Sequence, residues 1–211
     1  YDTMKKKEST TSPRRVEVYD STLRDGAQGE NIGFSLDDKL LIAEKLDKVG
    51  VSYIEGGWPN PTNPKDLDFF RKIRQTRLKH AVVTAFGSTR RAENHAEKDQ
   101  ILRTLLDAET SIVTIFGKSW DLHVREVLKT TLDENLRIIE DSVRFLTGEG
   151  RRVFFDAEHF FDGYKADAGY ALKTLAAASA GGADIVVLCD TNGGSAPEEI
   201  AMICDAVREK M

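Results

Sequence analysis

The chain has 211 residues, 40% of them apolar and 31% charged, which suits one large water-soluble globular domain or a piece of a longer protein. Its net charge of -5, with Lys and Arg spread among acids along the helical stretches, argues against a nucleic-acid partner, which would favour a clustered basic face. No apolar run approaches the ~20 residues that span a bilayer, and the two cysteines, Cys189 and Cys204, suggest no disulfide framework and fit a reducing cytoplasm.

In chain order, residues 1–15 come first. They carry Lys5, Lys6 and Lys7 with no apolar segment behind them, so they do not read as a signal peptide; a disordered tail is expected there, with Met4 as a possible natural start. From residue 16 onward, short runs rich in Val, Ile and Phe alternate with amphipathic stretches. Strands are predicted at 16–20, 51–55, 80–86, 111–116, 152–158 and 184–190. Several are apolar almost throughout, the pattern of strands covered on both faces. Helices are predicted at 36–49, 64–75, 99–108, 133–147, 166–180 and 197–209. Ser35 with Asp38 has the form of a capping box, Pro197 suits a first helical turn, and Gly50 and Gly148 suit helix ends. Leu136, Ile139, Val143 and Leu146 recur at helical spacing and define one buried stripe.

Six strand–helix units in regular order demand a parallel sheet with right-handed crossovers. Periodicity leaves two closures open, a doubly wound sheet or a barrel. The first strand–helix loop lacks a Gly-x-Gly-x-x-Gly pattern, which lowers the dinucleotide-binding form of the open sheet. In a barrel, chemistry sits at the C-terminal ends of the strands, and here all six predicted ends are polar: Asp20 to Gly26, Glu55 to Trp58, Phe86 to Ser88, Phe116 to Ser119, Asp156 to His159, and Cys189 to Gly194. One polar strand end is ordinary; six in a row favour a functional site at that end of the sheet. Within that set, Asp25 is a hard oxygen donor for a divalent cation. Arg24 beside it could polarise a keto group and stabilise the alkoxide that forms on attack. Alone, the pair would read as a surface ion pair.

The run Tyr19-Asp20-Ser21-Thr22-Leu23-Arg24-Asp25-Gly26-Ala27-Gln28 resembles the first-strand signature of the isopropylmalate, homocitrate and citramalate synthases, metal-dependent barrels that condense acetyl-CoA with a 2-keto acid. Tyr53 to Pro59, Ala85 to Arg91, Thr114 to Asp121, Phe155 to Gly163 and Leu188 to Gly194 resemble the citramalate-forming branch of that family, so the likeness runs from residue 16 to the C-terminus. It implies a (β/α)8 TIM barrel of which residues 16–211 hold about six units; a full barrel takes roughly 250 residues, so two more units are expected outside this span.

The resemblance also implies roles. Asp25 would ligate a divalent metal (Mg2+, Mn2+ or Zn2+). Arg24 would face the keto oxygen and bind substrate, with Glu55 orienting it. Thr191 would hydrogen-bond the keto-acid carboxylate, and Glu158 would do acid–base work on acetyl-CoA. His159, next to Glu158 and hence on the opposite side of a strand, reads as packed rather than ligating. The implied reaction gives citramalate and CoA from acetyl-CoA and pyruvate, on the way to isoleucine, in a cytoplasmic homodimer with no nucleic-acid or membrane partner. The close alternative is the same chemistry on a larger keto acid. The family's further metal ligands, a His-x-His pair on strand 7 and an Asn from strand 8, have no match here: His80, His95, His123 and His159 form no such pair. These 211 residues alone are therefore expected to be an inactive barrel fragment.

Overall fold

The computed structural model describes residues 15–60 and 64–211; apart from Arg15, the expected N-terminal tail lies outside them. The strands are β1 (Tyr19–Asp20), β2 (Tyr53–Gly57), β3 (Val82–Ser88), β4 (Ile112–Lys118), β5 (Arg152–Glu158) and β6 (Ile185–Leu188). They form a single parallel sheet in the order β1-β2-β3-β4-β5-β6. Each strand pairs with the next in sequence, as successive staves of a barrel do and as a doubly wound sheet does not. The helices are α1 (Leu36–Val49), α2 (Pro64–Ile73), α3 (Gln100–Asp107), α4 (Asp121–Glu126), α5 (Leu132–Gly148), α6 (Phe160–Ala166), α7 (Ala168–Gly181) and α8 (Pro197–Lys210). None of those described is long and apolar enough to cross a membrane.

Local signals act where the sequence places them. Ser35 and Asp38 form a reciprocal capping box on α1, and Gly50 ends that helix in the left-handed region at φ 93°. Pro197 opens α8. At the end of α5 the left-handed glycine is Gly150, and Gly148 is still helical.

Four differences from expectation have local causes. β1 begins at Tyr19, because Val16 and Val18 lie exposed and residue 18 only begins the pairing, its carbonyl accepting from Ser52 and Tyr53. β6 stops at Leu188, where Asp190 turns to cap the following loop through Ser195. Two short helices, α4 and α6, occupy the loops after β4 and β5. They span two turns or fewer, too little for a helical period to stand out. In α6, Phe160 and Phe161 also extend the apolar run of β5 and hide the break. α6 in turn packs so closely on the β4–α4 loop that a Cβ at Gly163 would lie 2.5 Å from the Ser119 carbonyl oxygen.

Alternation along the strands divides the interior in two. Ile54, Ala85, Val113, Ile115, Val153, Phe155 and Ala157 join the core shared with the helices, against Phe69, Leu105, Ile139, Val143 and Leu175. The intervening residues Tyr53, Ile112 and Phe154, with Tyr19 and Ile185, form a separate cluster that floors the barrel interior. On that inner face, above the floor, the residues become polar: Glu55, Thr84, Thr114 and Asp156.

Candidate active site

The loop after β1 is a tight turn in which the amides of Arg24, Asp25 and Gly26 all converge on the Ser21 carbonyl. Asp20 caps it, accepting from the Thr22 amide at 3.0 Å and from the Thr22 hydroxyl at 3.1 Å. Leu23 is buried beneath. This fixes the Arg24 stem so that its guanidinium turns inward. There Nε donates to Glu55 Oε1, Nη1 donates to Asp25 Oδ1 at 2.9 Å, and Cζ lies 3.8 Å from the centre of the Phe86 ring. A planar cation held by a carboxylate on its edge and an aromatic ring on its face has little freedom. Glu55 is fully buried, and its second oxygen accepts the Tyr19 hydroxyl at 2.6 Å. Burial raises the Glu55 carboxyl, and Arg24 and Tyr19 draw it back.

The β2–β3 register slips between Glu55 and Gly57, a bulge that re-aims the chain beside the site. Gly57 takes φ 142°, and a Cβ there would stand 2.7 Å from the Asp66 carboxylate. That carboxylate pairs with Lys39 at 2.6 Å and accepts the Trp58 amide at 3.0 Å. Trp58 is thereby laid edge-on against Phe86 and Phe116, which stack on each other with centroids 5.5 Å apart. A cleft of about 380 Å³ opens between Arg24, Trp58, Gln28 and Lys39.

Across the mouth, Glu158 pairs with Lys118 at the end of β4, its register partner. Two residues earlier on the same face, Asp156 has no hydrogen-bond partner among the described residues. It feels the charges of Glu55, Arg24 and Glu158, and so links the two halves of the site. Thr191 Oγ1 accepts the His159 amide at 2.9 Å, which leaves the hydroxyl proton free to donate. His159 is packed, as expected, but not by strand alternation. It has left β5 and sits at φ 54°, with its ring 4.6 Å from that of His123 and its Nδ1 3.3 Å from Asp162. Burial, then His159 and Lys118, lowers the His123 pKa.

Sequence reading singled out Arg24, Asp25, Glu55, Glu158 and Thr191. The structure joins the first three directly and gives Glu158 and Thr191 neighbours of their own. It adds Lys118, Phe86, Tyr19 and Asp156. Of these, Asp156 was the most readable, because a strand puts residues i and i+2 on one face.

The site does not by itself amount to a metal centre. Asp25 is exposed and offers one carboxylate, already touching Arg24. Among the described residues no three of His, Cys, Asp or Glu gather to hold an ion.

Asp156 yields a pH prediction. Burial first, then the Glu55 charge, pushes its carboxyl up to about 7, against about 3.9 in an unfolded chain. Between those values the folded chain holds a proton that the unfolded chain has lost. Stability from this group is therefore present at low pH and is lost as pH rises through that window. Asp156→Asn should raise the melting temperature by roughly 2–6 °C at about pH 8 and change it little near pH 4. A variant melting at or below the parent temperature at the higher pH would show that the carboxyl is already well compensated.

Comparison with known proteins fits this arrangement. The family described as HMGL-like matches residues 15–211. An (R)-citramalate synthase from Aquifex aeolicus is 57% identical over 93% of this chain and 37% of its own length. A probable 2-isopropylmalate synthase from Ignicoccus hospitalis is 31% identical over 88% of this chain and 43% of its own. The chain thus spans well under half of these curated relatives. The crystal structure of the Bacillus subtilis HMG-CoA lyase superposes with a TM-score of 0.74 at 19% identity, over 94% of this chain and 66% of that one, which shows a shared fold. By the extent of the family match, from residue 15 to the last residue, the chain belongs to the HMGL-like family.

Proposed function

We propose that this chain carries six of the eight units of the catalytic barrel of an acyltransferase that condenses acetyl-CoA with pyruvate to give citramalate and CoA. The observation that carries this reading is the 57% identity to an (R)-citramalate synthase along almost the whole span, beside 31% to a 2-isopropylmalate synthase.

The arrangement supports this reading with candidates for three demands of a Claisen-type condensation. Arg24, with its edge and face fixed by Glu55 and Phe86, holds a guanidinium ready for the oxygen that becomes an alkoxide. Glu158, backed by Lys118, is the base for the acetyl methyl proton. Thr191, its lone pair engaged by the His159 amide, donates its proton to the keto-acid carboxylate. Trp58, packed edge-on against Phe86 and Phe116, gives the cleft beside Arg24 an aromatic wall. Hydrolysis of the thioester then makes the sequence irreversible. Asp25 is one corner of the divalent-ion site that the family implies. The remaining ligands, and the homodimer proposed for the full-length protein, lie beyond the described residues, and the cytoplasm is the proposed compartment.

The test is release of free thiol by the full-length enzyme, supplied with a divalent ion and acetyl-CoA and offered pyruvate, a branched 2-keto acid or a dicarboxylic 2-keto acid. Pyruvate should give the highest kcat/KM. Faster release with either larger acid would move the protein to a sister activity. No release with any of them would sink the condensing reading.

A further inference from the structure

Beneath Arg24 and Glu55 lies a row of hydroxyls that this reading leaves unused. Tyr19 Oη is 2.6 Å from Glu55 Oε2 and 2.9 Å from Thr114 Oγ1, and Thr114 Oγ1 is 3.0 Å from Thr84 Oγ1. Thr84 and Thr114 are fully buried. The row crosses four strands in space, from β3 through β4 and β1 to β2, with no water-facing member at its far end.

The order of protons is fixed at the Glu55 end. A carboxylate can only accept, so the Tyr19 proton goes to Glu55. Burial, then the Glu55 charge, raises the Tyr19 phenol far above its ordinary range, so that proton stays on Tyr19. With it committed, the Tyr19–Thr114 contact must use the Thr114 proton, and the single Thr84 proton is shared between Thr114 Oγ1 at 3.0 Å and the Ala85 carbonyl at 3.2 Å. The Tyr19 and Thr114 dipoles then point toward Glu55. Hydrogen bonds aligned head to tail strengthen one another, and more so away from water.

We propose that Thr114 and Tyr19 form a hydroxyl chain that positions Glu55, and through it Arg24, for carbonyl polarisation. They are positioning residues, since neither of them reaches the mouth where substrate binds. The chain gives Glu55 a second fixed bond on the oxygen that Arg24 does not use, so the carboxylate cannot rotate away from the guanidinium. The proposal rests on the condensing reading for its kinetic test, but its geometric core can be measured apart from activity.

The experiment uses the full-length enzyme with three variants of nearly unchanged shape. Tyr19→Phe keeps the ring that packs on Tyr53 and Phe154. It should lower kcat roughly tenfold and leave KM for pyruvate within about twofold, because a bond to a charged group is lost and the pocket is not. Thr114→Val should lower kcat by about threefold, whereas Thr114→Ser, which restores the hydroxyl, should return it to near the parent value. In an Arg24→Lys background Tyr19→Phe should cost less than about twofold more, since both act on one element. Independently of turnover, the Arg24 Nε–H proton resonance should move in Tyr19→Phe and Thr114→Val and stay in place in Thr114→Ser. Unchanged kcat in Tyr19→Phe, full additivity over Arg24→Lys, or an unmoved Arg24 resonance would each overturn the proposal. If the parent enzyme does not condense acetyl-CoA with any keto acid, the functional reading fails, and the resonance still decides whether the chain positions Arg24.

Discussion

Glu158→Gln is expected to lower kcat by roughly 10²–10⁴-fold, the usual cost of removing a placed acid or base, and to leave KM for pyruvate little changed. Gln keeps the length and one hydrogen-bonding oxygen, so a hole at the end of β5 cannot account for the loss. Lys118 complicates the expectation in an informative way. It pairs with Glu158, so the Gln variant leaves a half-buried ammonium without its counter-charge. If the Lys118 pair were the only role of Glu158, the damage would appear as lowered thermal stability with turnover largely intact. If Glu158 takes the methyl proton, hydrogen–deuterium exchange into acetyl-CoA slows along with kcat. Thr191 provides the contrast: Thr191→Val should mainly raise KM for pyruvate, because its contact exists before and during reaction alike. A Glu158→Gln enzyme with parental kcat and parental exchange would return the residue to a purely structural pair.

Arg24→Lys should remove most turnover, on the order of 10²-fold or more, although the charge is kept. The reason is visible in the contacts. Arg24 engages Glu55 through Nε, Asp25 through Nη1 and the Phe86 face through its plane at the same time. A Lys ammonium is a compact point charge without that fork or plane. It could satisfy Glu55 or reach a substrate oxygen, but it could not do both in a fixed direction. The loss should fall on kcat more than on KM, since the interaction grows as the carbonyl oxygen becomes an alkoxide. A Lys variant within about threefold of the parent kcat would show that charge alone suffices and would remove the polarising role from Arg24.

Much of this was legible before any coordinates, and what was not has physical reasons. The six strand–helix units were readable because both-face burial writes continuous Val, Ile and Phe runs, and because caps such as Ser35 and Gly50 act locally. The Arg24, Asp25 and Glu55 set was readable because its members fall at strand ends in family order. Tyr19 and Thr114 were not readable as a pair, since they are 95 positions apart and meet only when the sheet curls. Lys118 was visible at its strand end, but its pairing with Glu158 depends on the β4–β5 register. α4 and α6 escaped because a helix of six or seven residues offers too little period. His159 was placed correctly as packed, for a reason that did not hold: it is the left-handed residue after the strand rather than the next residue of it.

The division of each strand into inner and outer residues has an evolutionary consequence. Val153, Phe155 and Ala157 belong to the core shared with the helices, whereas Phe154 floors the interior and Asp156 and Glu158 face the site. The two sets interleave along one segment yet answer to different selection. A mutation on the inner series changes what the mouth can hold or activate while the outer series keeps the scaffold folded. New specificities can therefore be sampled one position at a time without first finding a compensating repair in the core. A lineage built on such strands can radiate across related substrates while its fold drifts far more slowly than its chemistry.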